Sequence, residues 1–206
     1  MSLLEIMQEP DPLQLIYGVV NAIVSNTQDP EKLGRVKVTY PVFADLESDW
    51  MRIASFYSGK NYGAFFLPAK EDEVLVAFAQ GNINNPYMIG CLWNGIDQAP
   101  VPPAEQQDVR EIKTAGGQVI RFEEKANERI TITDNKKNTI VIDTKKGSIE
   151  VSCEKNIDIT SKQGTITVKG TNIKLEAKST LSLGANKIDI EAKGTLTLKG
   201  SRINLN

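Results

Sequence analysis

In the last third of the chain, pairs of aliphatic side chains flank a single polar residue at short, regular intervals. The pairs are Ile149 and Val151, Ile157 and Ile159, Ile166 and Val168, Ile173 and Leu175, Leu181 and Leu183, Ile188 and Ile190, Leu196 and Leu198, and Ile203 and Leu205. Their first members are 8, 9, 7, 8, 7, 8 and 7 residues apart, and weaker pairs precede them at Ile120 and Phe122, Ile130 and Ile132, and Ile140 and Ile142. The residues between pair members are polar: Glu150, Asp158, Thr167, Lys174, Ser182, Asp189, Thr197 and Asn204. In an extended strand, alternate side chains point to opposite faces, so each pair marks a short strand with one apolar face. A period this short, repeated this often, describes a quasi-one-dimensional object.

Such a ribbon cannot cover its apolar edge alone. A single-chain β-helix needs about 20 or more residues per coil, and strands that turn every seven or eight residues are too short for that. Three chains wound about one axis, each giving one side of a triangular prism, fit the spacing. The sixteen aliphatic residues of the pairs from Ile149 to Leu205 are then the expected trimer core. Large aromatic residues would not fit a narrow axis, and none follows Phe122. Lysine stems on the outer face would cover the sheet and suppress edge aggregation.

Composition divides the chain. All nine prolines lie at or before Pro103, and both tryptophans and all five tyrosines at or before Trp93. Residues 1–111 carry 7 basic and 15 acidic side chains, net −8, while 112–206 carry 17 and 11, net +6. We therefore expect an N-terminal arm (1–14), a first domain (15–98), a linker (99–118) and a needle repeat (119–206).

The first domain reads as short strands with turn punctuation, which predicts a small β-barrel. Runs at 15–24, 35–40, 50–54, 73–78 and 87–93 are candidate strands, and no helix of useful length is expected. In the run from Arg35 to Tyr40, Val36 and Val38 share one face and Arg35 and Lys37 the other. The acidic run Glu71, Asp72 and Glu73 reads as a solvated turn, because neighbours on a strand cannot converge on one metal.

Several function classes are excluded by composition. The chain has no histidine, which removes Ser-His-Asp and Cys-His machinery and histidine metal sites. Its two cysteines, Cys91 and Cys153, fall in different domains and are expected to be buried free thiols, so a structural zinc site is not expected either. No cofactor, metal or catalytic residue is assigned. A segment of net −8 repels a phosphate backbone, so no nucleic-acid partner is expected. Met1 to Pro12 lacks a basic patch and a long apolar core, so no signal peptide is expected and synthesis is assigned to the cytoplasm. No window approaches 18 apolar residues.

Motifs then follow one another in a specific order: Asp29-Pro30, Leu33 to Val38, Tyr40-Pro41, Trp50 with Arg52 to Ala54, Phe66 to Pro68, Asp72 to Val76 with Phe78, and Gly81 with Pro86, Tyr87, Ile89 and Gly90. Over about 20–95 this order resembles the OB-fold domain of contractile-tail baseplate spikes, namely the phage baseplate assembly protein V family and the matching part of type VI secretion VgrG proteins. Two departures predict altered turns: Glu71 stands where the family usually has glycine, and Asn82 where it often has aspartate. The resemblance implies an all-β chain, an OB-fold barrel followed by an intertwined triple-stranded β-helix made by three chains.

It also implies a function. The protein would be a trimeric, non-enzymatic central spike, docking on a tail-hub protein at its N-terminal end and piercing the target envelope when the sheath contracts. It would be incorporated in the baseplate of a phage tail or related contractile particle, and the short chain, without the hub portion of VgrG proteins, favours a phage tail or tailocin. The chain stops inside the repeat, at Arg202, Ile203, Asn204, Leu205 and Asn206, so a separate PAAR-like tip protein is expected to cap those residues. The alternative is a trimeric receptor-binding fibre or adhesin, which would call for an aromatic C-terminal head. A lysozyme-like insertion has no room between about 97 and 118.

Overall fold

The chain divides into two compact units, Met1–Lys155 and Asn156–Asn206. The computed structural model describes residues 15–204 of them. The expected N-terminal arm and the last two residues, Leu205 and Asn206, lie outside the described residues.

The first unit opens with a barrel. Its strands are β1 (Val19–Asn26), β2 (Lys37–Tyr40), β3 (Leu46–Glu47), β4 (Arg52–Ile53), β7 (Glu73–Phe78) and β8 (Pro86–Cys91), in spatial order β3-β2-β1-β7-β8-β4. The pairs are antiparallel except β4 with β8. A reciprocal backbone bridge closes the sheet on itself: Val36 N–H donates to the Met51 carbonyl (3.1 Å) and Met51 N–H to the Val36 carbonyl (2.9 Å). A small hairpin, β5 (Ser58–Gly59) with β6 (Tyr62–Gly63), stands in the excursion between β4 and β7. Among the described residues the only helical turns of this unit are single 3-10 turns at Pro41–Phe43 and Ala79–Gly81.

Alternation builds the barrel core. Ala22 and Val24 of β1, Val38 and Tyr40 of β2, and Val74, Val76 and Phe78 of β7 point inward with Val36, Met51 and Met88. The first strand begins four residues later than the run expected from Leu15, and β4 is only two residues long.

Two turns are set by single residues. The Asp29 carboxylate accepts from the N–H groups of Glu31 (3.1 Å), Leu33 (2.9 Å) and Arg35 (3.3 Å) and from the Arg35 guanidinium (2.8 and 3.0 Å). Glu71 sits at φ +78°, the left-handed conformation that favours glycine. This accounts for the glycine expected there, and Glu71 is held by its N–H bond to the Val24 carbonyl (2.8 Å). At Asn82 the turn survives the substitution, because the side-chain oxygen accepts from Asn84 N–H (2.9 Å).

A second sheet follows in the same unit: β9 (Val109–Lys113), β10 (Val119–Glu123), β11 (Arg129–Thr133), β12 (Thr139–Asp143) and β13 (Ser148–Ser152), an antiparallel meander in sequence order. Two expectations are modified here. Strand β9 lies inside the expected linker. Over 119–152 the strands pair with one another within the chain, where a wound repeat was expected. Spacing explains the second point. The pairs beginning at Ile120, Ile130 and Ile140 recur every ten residues, enough for a five-residue strand plus a reversing turn. The step of nine from Ile140 to Ile149 still closes the β12–β13 hairpin, whereas six of the seven later steps are only seven or eight residues and leave too little room.

In the second unit the described residues form no regular strand within the chain. Period two nonetheless persists. Lys174 pairs with Glu176 (2.6 Å) and Lys187 with Asp189 (2.9 Å), contacts between residues two apart that extended backbone permits. Both pairs are exposed and contribute little stability.

Candidate functional site

The meander carries an extended apolar face. Its register aligns one row of Ile112, Ile120, Ile132, Ile140 and Val151, and a second of Phe122, Ile130, Ile142 and Ile149. Cross-strand neighbours on one face are the unit of sheet stabilisation, yet these side chains are not covered: Ile120 is 39 % exposed and Ile149 73 %. A trough of about 470 Å³ runs along the first row and ends at Cys153. In the β9 place of the second row stands Arg110, opposite Phe122.

The opposite face is more polar, and most of its charged side chains are paired, with Val109, Val119 and Val141 standing among them. Arg121 pairs with Glu111 (3.0 Å) and with Glu105. Glu123 accepts from Arg129 and from Asn127 (3.0 Å). The Arg129 guanidinium is the main reason the Glu123 carboxyl titrates below the usual range. Glu105 belongs to the segment expected as linker, which turns back on itself through the Pro102 and Glu105 carbonyls and buries Val101 and Val109. The two faces therefore differ: one carries mostly paired charges, the other leaves a contiguous apolar surface open. Contiguous apolar patches of this sort mark interaction sites.

Of the sixteen expected core residues, Ile149 and Val151 join these rows on β13. Ile157, Ile159, Ile166, Val168, Ile173, Leu175, Leu181, Leu183, Ile188, Ile190, Leu196, Leu198 and Ile203 lie in the second unit, each between 48 % and 73 % exposed. Arg202, Ile203 and Asn204 are exposed. Sequence reading passed over Ile112, because the residue two before it is Arg110 and no pair is visible. It also passed over Glu105 and Glu111, whose partner Arg121 is remote in sequence.

The cysteines need a correction. Both are free, but Cys91 is exposed and Cys153 half-buried. Cys91 lies at the end of β8, where the barrel wall opens into a groove, and burial and Asp72 still push its thiol up. Among the described residues no group of three or more acidic, cysteine or histidine side chains is placed to hold a metal ion, and no helix is long and apolar enough to cross a membrane.

A closed small barrel, followed by strands whose one face is a continuous apolar ladder, defines a β-structural protein whose distinguishing surface is an open apolar one. Residues 20–93 match the family of type VI secretion system/phage-baseplate injector OB domains. The chain is similar to the type VI secretion system spike protein VgrG5 of Pseudomonas aeruginosa, 33 % identical over 98 residues, or 43 % of this chain and 12 % of that protein. It is similar to VgrG1b of the same organism, 27 % identical over 162 residues, or 72 % of this chain and 20 % of that protein. A third relative is VgrG3 of Vibrio cholerae, 29 % identical over 106 residues, or 47 % and 10 %. The chain spans at most about a fifth of the length of these relatives. The VgrG1b match is too long to end at Trp93 and reaches into the strand repeat. Through its OB domain at residues 20–93 the chain resembles the VgrG-type baseplate spike proteins. These relatives support a spike-related structural role.

Proposed function

We propose that three copies of this chain assemble into the central spike of a contractile baseplate. The observation that carries this reading is the uncovered apolar ladder from Ile112 to Val151, continued in sequence by the exposed pairs from Ile157 to Ile203. Three copies turning this face toward a common axis would remove it from water, at about 25 cal/mol per Å² of apolar surface. The described residues from 156 onward, which form no strand within the chain, would gain partners from the neighbouring copies. A prism with every backbone group paired is stiff and narrow.

In this reading the OB barrels form a collar that docks on a tail-hub protein. The needle points at the target envelope, and sheath contraction supplies the work. Residues Arg202, Ile203, Asn204, Leu205 and Asn206 contact a PAAR-like tip protein in this reading. The protein acts by shape and stiffness and performs no catalysis. Its place is the baseplate of the assembled particle.

Light scattering on the purified full chain, with negative-stain images of the same peak, tests the assembly. A mass near three times 22.7 kDa and a rod with a wider head are expected; a compact monomer overturns the reading. Recovery of a PAAR-like partner should be lost on deleting 201–206. Unchanged recovery rejects the tip assignment without touching the trimer.

A further inference from the structure

The barrel carries a second open surface that the spike reading does not use. A groove of about 820 Å³ lies between β4, the end of β8 and the excursion 54–67. The excursion forms an ordered wall. Ala64 N–H donates to the Tyr57 carbonyl (2.9 Å), and Ser55 Oγ donates toward the Tyr57 and Ala64 carbonyls (3.0 and 2.8 Å). Gly63 sits at φ +145°, and a Cβ there would lie 2.6 Å from the Tyr57 carbonyl oxygen, so the hairpin closes as tightly as a backbone can. On this wall Phe56, Tyr57, Tyr62, Phe65 and Phe66 are all more than half exposed. An ordered wall that presents five aromatic side chains to water is a contact surface awaiting cover.

Charge narrows the choice of occupant. Residues 15–98 contain nine acidic and six basic side chains, yet no carboxylate lines the groove. Its charged side chains are Arg35 and Arg52. Arg35 is held by Asp29 and Glu31. Arg52 lies over the Tyr87 ring (4.8 Å) and donates to Tyr87 Oη (2.6 Å), with no carboxylate among the described residues within ion-pair reach. The groove therefore suits an apolar segment with acidic side chains and no basic ones.

The first fourteen residues of this chain have that composition. Leu3, Leu4, Ile6 and Met7 are apolar, Glu5, Glu9 and Asp11 are acidic, and none is basic. The described chain begins beside the β7–β8 turn, where Ile16 N–H donates to the Gly81 carbonyl (2.9 Å). From that turn β8 runs to the groove, its Met88–Cys91 segment forming one side. The path along β8 from Pro86 to Cys91 is roughly 17 Å, and the residues between Met7 and Leu15 can span up to about 26 Å.

We propose that Leu3–Met7 docks in the aromatic groove of its own chain, its aliphatic side chains against the 56–66 wall and an acidic side chain near Arg52. The inference rests on the barrel alone and does not depend on the spike reading.

A photo-crosslinking residue at Ile6 of the full chain, with sites mapped by mass spectrometry on a mixture of isotope-labelled and unlabelled protein, tests it. Crosslinks within one chain to Phe56–Phe66 or Met88–Cys91 are expected. Crosslinks only between chains would assign the groove to a second copy, and crosslinks only elsewhere would leave it to another protein; either overturns the proposal. Cys91, which lines the groove, gives a second readout in an L4D/I6D variant. Its alkylation should rise about five- to tenfold over the unsubstituted chain, the factor for a site covered roughly four-fifths to nine-tenths of the time, with Cys153 as internal control. An unchanged Cys91 rate overturns the proposal.

Discussion

Ile132 stands directly opposite Ile140 across the β11–β12 hairpin, and both keep more than two-fifths of their surface in contact with water. In a single folded chain such a pair belongs in a core. Its exposure, repeated along both rows of the sheet, makes the meander face the place where association should be most sensitive to charge.

Ile132→Asp should therefore dissociate the assembly. With Ile132 45 % exposed in the single chain, each copy forfeits roughly 1 kcal/mol of interface burial and places a carboxylate on the apolar face, about 3 kcal/mol over three copies before the cost of burying the charge. Equilibrium sedimentation should show the mass falling toward one chain. Thr131→Asp, on the opposite face, should leave the mass unchanged, and equal loss in both variants would contradict the assignment of faces.

Glu71 occupies a left-handed backbone position with its side chain in solvent. Glu71→Gly should raise stability by about 1 kcal/mol, because relief of the left-handed strain exceeds the added chain entropy of glycine. Chemical denaturation of the two proteins side by side measures it. A loss of stability would mean that the Glu71 side chain makes a contribution its surroundings do not suggest.

The Tyr40 ring packs against Phe43 and Phe78 at centroid separations of 5.8 Å, while its hydroxyl is buried without a hydrogen-bond partner among the described residues. The Ser48 hydroxyl accepts from Val38 N–H (3.0 Å). Burial pushes the phenol up to about 12, with Ser48 acting weakly the other way. A raised folded value means the contribution is complete below the unfolded value near 10 and is lost as pH rises toward 12. Tyr40→Phe should be neutral or stabilising by up to about 1 kcal/mol at neutral pH and should abolish that alkaline loss. Thermal melts from pH 7 to 11.5 test both statements.

The Asp29 carboxyl is held far below the usual carboxylate range, chiefly by the Arg35 guanidinium and then by the N–H groups of Glu31, Leu33 and Arg35, against the opposing effect of burial. With the folded value below the unfolded one, its contribution is complete above about pH 4 and lost as pH falls. Asp29→Asn should lower stability at pH 7 and flatten the acid limb below pH 4. An acid limb as steep as in the unsubstituted chain would place acid sensitivity elsewhere.

Legibility in the sequence varied with the range of the interactions. Strand β7 was readable to the residue, because Val74, Val76 and Phe78 alternate with partly exposed neighbours. The meander rows were readable as pairs at 120, 130 and 140, while Ile112 was hidden behind Arg110. The aromatic groove was not readable. Its wall is a 14-residue excursion with two-residue strands, and Phe56, Tyr62 and Phe65 look like core residues until the loop is placed. Cys91 was misassigned for the same reason, since nothing local marks the end of β8 as an open edge.

What the sequence determined alone is the side each strand residue faces and the composition of each face, because side-chain direction in an extended chain follows from period two without reference to anything distant. It also determined that these 206 residues hold no histidine. Closure of the barrel through Val36 and Met51, the register that sets Ile132 against Ile140, and the neutralisation of Arg121 by Glu105 and Glu111 were decided only in the tertiary structure. Each depends on backbone or charge pairing between segments separated along the chain. Which partner wins such a pairing is set by turn geometry and burial acting together, and no local pattern contains that information.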